Sequence, residues 1–271
     1  MSHFNRVLIT GAAGALGKQL RKSGQTLAKH VRLTDIVPST DLAAHEEDRP
    51  CNLDDMTAIM QAVEGCDCIV HLGAKASEGT WDEVLHSNII GTYNIYEAAR
   101  RHGVKRIVYA SSIHAVGYYE RNHTIDAKVP TRPDSLYGVS KTFGENLASY
   151  YFDKFGIESV CLRIGSCFPE ATDRRHLITW LSYADMRQLV ERSLEAPRVG
   201  FLISYATSNN RQAFWDNKYA SILGYRPQDT ADAFTDKVLA KTEQGDPEDP
   251  QVKFQGGIFC KWGHWEDQQK S

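Results

Sequence analysis

The chain has no surplus of basic charge: 31 Lys and Arg stand against 34 Asp and Glu, for a net charge of −3 at pH 7. Lacking a basic field and any Lys/Arg cluster interleaved with aromatics, it is not expected to bind nucleic acid. It also lacks an apolar run near the ~20 residues that span a bilayer, and it has no signal-peptide pattern. A cytoplasmic protein with no membrane partner is expected. Cysteine is sparse and scattered, at Cys51, Cys66, Cys68, Cys161, Cys167 and Cys260. One close pair does not make the two ligand clusters of a structural zinc site, so buried thiols are expected, with no metal and no disulfide framework. Repeats and low-complexity tracts are missing, and 42% hydrophobic residues in a chain of 271 supply a sizeable core.

What is present is alternation. Apolar runs RVLIT (6–10), VRLTD (31–35), DCIVHLG (67–73), RIVYASS (106–112) and SVCLRIG (159–165) are separated by the amphipathic stretches 16–28, 56–65 and 89–103. This order predicts an α/β fold, a Rossmann-like doubly wound parallel sheet. Beyond residue 165 the rhythm loosens. Residues 175–196 and 215–225 read as helices, 200–206 as a strand and 243–251 as an acidic surface loop. The division is a core over 1–165 and a small C-terminal substrate lobe over 166–271, packed on it as one unit.

Ligands of such sheets bind beyond the carboxyl ends of the strands. The first strand runs into GAAGALG, with Gly11, Gly14 and Gly17 at a strand–helix junction. Glycines there permit a tight turn and let a pyrophosphate approach backbone N–H groups. Asp35, about twenty positions on, can accept from adenosine ribose hydroxyls and repel a 2′-phosphate, which favours NAD over NADP. Arg32 is the residue that could rescue NADP, and strand alternation leaves its direction ambiguous.

SSIHAVGYY (111–119) ends the fourth apolar run, and LYGVSK (136–141) follows. On a helix, Tyr137 and Lys141 share one face and make a phenol–ammonium acid–base pair. An adjacent ammonium and an oxidised nicotinamide ring both favour the phenolate. Neighbouring strand residues face opposite ways, so either Ser112 or Ser111 points into the cleft.

GAAGALG, HLGA (71–74), Ser112 and Tyr137-x-x-x-Lys141, in this order, resemble the extended short-chain dehydrogenase/reductases. NIIGTYNIYEAAR, RPDSLYGVSK, FGENLA, RIGSCFPE, WDN…LGY and FQGG narrow the likeness to the NAD-dependent uronate dehydrogenases, over nearly the whole chain. The resemblance implies oxidation of the anomeric carbon of a hexuronic acid to an aldonolactone. It makes Tyr137 the base, Lys141 its tuner and a ribose ligand, and Ser112 the partner of the reacting hydroxyl. It extends the NAD site over Ala15, Leu16, Asn52, Leu53, Leu72, Gly73, Ala74, Ile164 and Cys167, with Asn88 supporting the active-site helix. It places the acid group of a small acidic sugar on Arg175, with Arg174 the lesser candidate, and on a donating Ser166. Pairing into a homo-oligomer is likewise an expectation by analogy.

Three departures stand out. Asn52 replaces the family's usual Asp near adenine. Ala76, flanked by Lys75 and Ser77, replaces a serine, and Ile113 replaces a sugar-facing asparagine. Loop 204–210 also looks changed. The expectation is retained chemistry on an anionic hexose, with either a uronate carboxylate or a different C6 group such as the 6-sulfonate of sulfoquinovose or a 6-phosphate. Lys75 is the candidate for extra positive charge. His114 either bonds a sugar hydroxyl or caps the strand, and Phe259, Trp262 and Trp265 either cover the cleft or pack the tail. The rival classes are a nucleotide-sugar epimerase or dehydratase, which yields no net NADH, and a redox-inactive dinucleotide sensor.

Overall fold

Along β1 (Arg6–Thr10) the side chains part to opposite faces, Val7 and Ile9 entering one apolar cluster and Leu8 the other. A strand buried on both faces must be apolar throughout, which is why these strands read as unbroken runs. The computed structural model describes residues 4–268. The other strands are β2 (His30–Thr34), β3 (Glu46–Asp48), β4 (Cys68–His71), β5 (Arg106–Ser112), β6 (Glu158–Ile164), β7 (Ser166–Cys167), β8 (Trp180–Leu181) and β9 (Phe201–Ala206). Seven of them form one parallel sheet in the order β3-β2-β1-β4-β5-β6-β9, and β7 and β8 pair separately. The fold is the expected Rossmann-like α/β sheet.

Helices α1 (Ala15–Arg21), α2 (Gly24–Leu27), α3 (Met56–Val63), α4 (Trp81–Val84), α5 (Gly91–His102), α6 (Leu136–Phe155), α7 (His176–Thr179) and α8 (Tyr183–Glu195) provide the outer layers. Leu20, Leu27, Met186 and Leu189 of α1, α2 and α8 cover one face. Ile59, Ile95, Ala98 and Tyr151 of α3, α5 and α6 cover the other. A π-helical turn, Leu85–Ile90, joins α4 to α5. Among the described residues no helix is long and apolar enough to cross a membrane, and the six cysteines are unbridged.

Four expectations change. Residues 175–196 are not one helix: α7 stops at Thr179, Trp180–Leu181 pair with Ser166–Cys167, and Ser182 caps a new helix by accepting from the Asp185 amide. The stretch 16–28 breaks between α1 and α2, and 215–225 holds a 3-10 helix over Lys218–Leu223. The short polar strand β3 has no apolar signature because its carboxylates serve Arg21 and Arg32 instead of a core. Residue 165 does not separate sheet from lobe, since β9 completes the sheet and α8 covers it.

The most buried ion pair among the described residues is bidentate. Arg163 of β6 donates from Nε and Nη2 to Glu145 of α6, both at 2.8 Å, with side-chain exposures of 1% and 4%. Ser111 adds a 2.6 Å bond to the same carboxylate. Glu145→Gln strands a buried guanidinium, and the expected outcome is a loss of about 3–5 kcal/mol, read from the urea unfolding midpoint.

Candidate active site

The carboxyl ends of the strands open onto one continuous cavity of about 1740 Å³. The glycine loop forms one end. Gly11 has φ +68°, and a Cβ on it would lie 2.7 Å from the Gly73 amide nitrogen. A Cβ on Gly17 would lie 2.3 Å from the Gly11 carbonyl oxygen. Side chains would therefore fill the cradle. No side chain caps α1 at Gly14, which leaves its first amides available to an anion. The cradle fits a dinucleotide pyrophosphate.

Asp35 sits beside the loop, accepting from the Ala13 amide at 3.0 Å and the Val37 amide at 3.2 Å. Arg32 turns away from the cavity. It donates to Glu47 and to the carbonyls of Ala62 and Glu64, which removes it as a ligand for a 2′-phosphate.

The residues singled out from the sequence for cofactor or sugar line the cavity, apart from Arg32, Asn88, Trp262 and Trp265. Asn88 lies behind the wall, where its amide donates to the Lys75 carbonyl and the Ser140 hydroxyl and its oxygen accepts from the Lys75 amide. Ser140 in turn donates to the Tyr137 carbonyl. The residue braces the start of α6 and makes no part of the cavity surface.

The start of α6 is pinned twice. Ser135 Oγ accepts from the Gly138 amide. The buried Glu78 carboxylate accepts from the amides of Leu136 and Tyr137 at 3.2 and 3.1 Å. A carboxylate at a helix N-terminus also meets the positive end of the helix dipole. Tyr137 and Lys141 face the cavity from this helix, the ammonium nitrogen lying 5.4 Å from the centre of the Tyr137 ring. Ser111 is spent on Glu145, and the side chain of Ser112 accepts from the His114 amide within the cavity wall.

Burial pushes the Tyr137 phenol up to about 12, opposed by its bond to Ser112. Burial lowers Lys141 to about 7. Desolvation disfavours both charged forms, so the phenolate depends on favourable charge beside it. Cys167 is half-buried in the wall, and desolvation pushes its thiol up to about 12.

The sugar end differs from expectation at several points. Lys75 is paired with Glu83 at 2.8 Å, so its charge is already neutralised. Ile113 is 3% exposed, lines the cavity and packs on its other side with Val116, Ile125, Phe214 and Trp215. Ser166 shares a 2.8 Å bond with Thr179, whose hydroxyl donates to the Arg175 carbonyl, so the Ser166 proton goes to Thr179 and not to a ligand. Arg174 is tied to the Thr242 carbonyl. Arg175 donates through Nε to the Gln255 carbonyl at 2.7 Å, and its buried Nη2 has no partner. In loop 204–210, Ser208 and Asn210 are engaged with Asp185 and with the carbonyls of Ile178 and Trp180. Neither lines the cavity, whereas Arg211 and Gln212 do.

His114 bonds Asp134 through Nδ1 at 2.7 Å, stacks on Phe259 at 3.9 Å and meets the Tyr137 ring edge-on. Trp262 packs on Phe259 and Trp265 on Trp262, so the aromatic tail both lines the cleft and seals itself down. Glu78, Arg121 and Asp134 were not singled out from the sequence. Of the three, only Asp134 had a local signal, as the residue before the Ser135 cap.

The Lys141 charge also couples to folding. The unfolded chain holds this proton up to its ordinary value of 10.5, whereas the folded chain releases it near 7. Between those values the unfolded state binds more protons, so stability of the ligand-free protein rises with pH from about 7 to 10, by at most about 1.4 kcal/mol per pH unit. Lys141→Met is expected to flatten that rise in urea midpoints measured across the window.

The model of the NAD dependent epimerase/dehydratase family matches residues 7–190. The chain is 48% identical to a uronate dehydrogenase of Pseudomonas syringae pv. tomato over 265 residues, 97% of this chain and 96% of that one. It superposes with a TM-score of 0.95 on a glucuronic acid dehydrogenase from Chromohalobacter salexigens, at 48% identity over 97% of this chain and 99% of that one. With a mutant uronate dehydrogenase from Agrobacterium tumefaciens complexed with NAD, the TM-score is 0.93 at 45% identity, covering 96% and 98%.

Proposed function

The chain belongs to the NAD dependent epimerase/dehydratase family, alongside the uronate dehydrogenases, and from that premise we propose that it is a sugar 1-dehydrogenase acting on an anionic hexopyranose. It is an NAD-dependent oxidoreductase of CH–OH groups. The finer reading is oxidation of the anomeric carbon to the aldonolactone, with a hexuronate or a 6-sulfo hexose such as sulfoquinovose as substrate. The observation that carries it is the convergence of Ser112, Tyr137 and Lys141 on a cavity that runs from the glycine cradle to the unpartnered guanidinium of Arg175.

Each residue then has a task. Gly11, Gly14 and Gly17 admit the pyrophosphate, and Asp35 exchanges its bonds to backbone amides for the adenosine ribose. Bound NAD supplies the hydride acceptor and a positive ring beside Tyr137. Ser112 orients the C1 hydroxyl, and Tyr137 as phenolate takes its proton while hydride leaves C1. A protonated Lys141 beside the ring favours that phenolate. Arg175 holds the acid group at the other end of the sugar, where a planar fork matches an oxyanion.

NADH absorbance with glucuronate, galacturonate, sulfoquinovose, glucose 6-phosphate and glucose tests the reading. Net NADH with an acidic sugar is the expected outcome, and NADH from neutral glucose alone would refute the anion site. Tyr137→Phe is expected to lower kcat by about 10²- to 10⁴-fold, the scale of one general base. Asp35→Ala is expected to shift the NAD/NADP ratio of kcat/KM toward NADP by about tenfold or more, the worth of one charge-assisted hydrogen bond.

A further inference from the structure

Of the four arginines that line the cavity, Arg211 pairs with Asp232 and Arg174 is tied to the Thr242 carbonyl, and the other two, Arg121 and Arg175, have no carboxylate ion pair among the described residues. They are held side by side by one short stretch of chain. Arg121 donates from Nε to the Phe254 carbonyl at 3.0 Å, and Arg175 donates from Nε to the next carbonyl, Gln255, at 2.7 Å. Arg121 is further fixed by a 2.6 Å bond from Nη2 to the Gln251 carbonyl and lies 5.8 Å from the centre of the Phe214 ring. Room for Arg175 depends on Gly257, at φ +69°, where a Cβ would lie 2.7 Å from the arginine Cδ. Arg175 is anchored through Nε, and Arg121 through Nε and Nη2. Nη2 of Arg175 is left buried with no acceptor, and Nη1 of Arg121 has none among the described residues.

Bringing two such cations together in a desolvated wall is unfavourable unless an anion joins them. Burial, and after it the charge of Arg121, lower Arg175 to about 10, against the opposing charges of Asp173 in the cavity wall and of Asp134. One guanidinium fork engages both oxygens of a carboxylate, whose lone pairs all lie in its own plane. A sulfonate or phosphate group presents three oxygens that are not coplanar with the central atom, so it can accept from two guanidinium groups in different planes. Lys75, the candidate for extra charge on sequence grounds, is already paired with Glu83.

We infer that Arg121 and Arg175 together form a seat for a tetrahedral oxyanion on C6 of the sugar, a sulfonate or a phosphate, with Arg121 as the specificity-determining arm. The inference rests on the reading of this cavity as that of an anionic-sugar 1-dehydrogenase.

The test uses the full chain with NAD and four probes: sulfoquinovose, glucose 6-phosphate, glucuronate and glucose. The expected result is a wild-type kcat/KM at least about tenfold higher for one of the two tetrahedral anions than for glucuronate. The sulfonate and phosphate arms identify which. Arg121→Gln is expected to cost that substrate about 10- to 100-fold, mainly in KM, the worth of one charge-assisted hydrogen bond, while glucuronate changes less than threefold. Arg175→Gln is expected to weaken every acidic sugar. The wild-type ratio needs no variant, so a folding defect in Arg121→Gln, checked by the thermal shift on adding NAD, does not remove the test. Glucuronate as the best substrate, or equal losses for glucuronate and the tetrahedral anion in Arg121→Gln, would overturn the paired seat and leave the dehydrogenase reading standing. No NADH from any of the three acidic sugars would overturn that reading and the seat with it.

Discussion

The buried pair between Glu145 and Arg163 is the contact on which the site depends. It ties α6 to β6 directly, to β5 through Ser111, and to β9 through the 3.3 Å bond from Arg163 to the Tyr205 hydroxyl. Tyr137, Lys141 and Glu145 follow one another at helical spacing on the same face of α6. Anchoring the last of them to the sheet aims the first two into the cleft. The same carboxylate consumes Ser111, and alternation along β5 then leaves Ser112 to the cavity. An ion pair this deep is weak evidence of net stability. Its value here is orientation, because no apolar replacement would select one serine over the other.

The other end of α6 is set by loops outside the sheet. Glu78 and Ser135 hold its first amides, and Asp134 reaches from the preceding turn to His114. The first turn is thereby coupled to the segment after β4 and, through the stacking of His114 on Phe259, to the C-terminal tail. That tail also supplies the carbonyls that hold Arg121 and Arg175. The Tyr137 end and the arginine end of the cavity are positioned by the same stretch, 254–259.

The sheet was legible in the chain because strands buried on both faces need continuous apolar runs, and the glycine cradle because only residues without a Cβ fit there. Elements that deviated did so for local reasons. Ser182 and the β7–β8 pairing split a helical periodicity that runs through 175–196, and β3 carries acids because its partners are arginines. Ile113, read from the sequence as a change of sugar contact, stands in the cavity wall and in a core cluster at once. Lys75 looked like spare charge and is spent on Glu83.

The sequence by itself determined the fold class, the dinucleotide cradle and the Ser–Tyr–Lys reaction chemistry, since each follows from residue types at short spacings that local geometry turns into one face or one turn. Tertiary structure alone decided which charges remain available for a ligand. Whether an arginine is spent on a carbonyl, on a carboxylate or on nothing depends on partners up to 133 residues away, as in the bond from Arg121 to Phe254. Arg32 and Arg174 look in the sequence like Arg121 and Arg175. Only the folded chain turns Arg32 away onto Glu47, ties Arg174 to the Thr242 carbonyl, and leaves Nη2 of Arg175 buried without a partner.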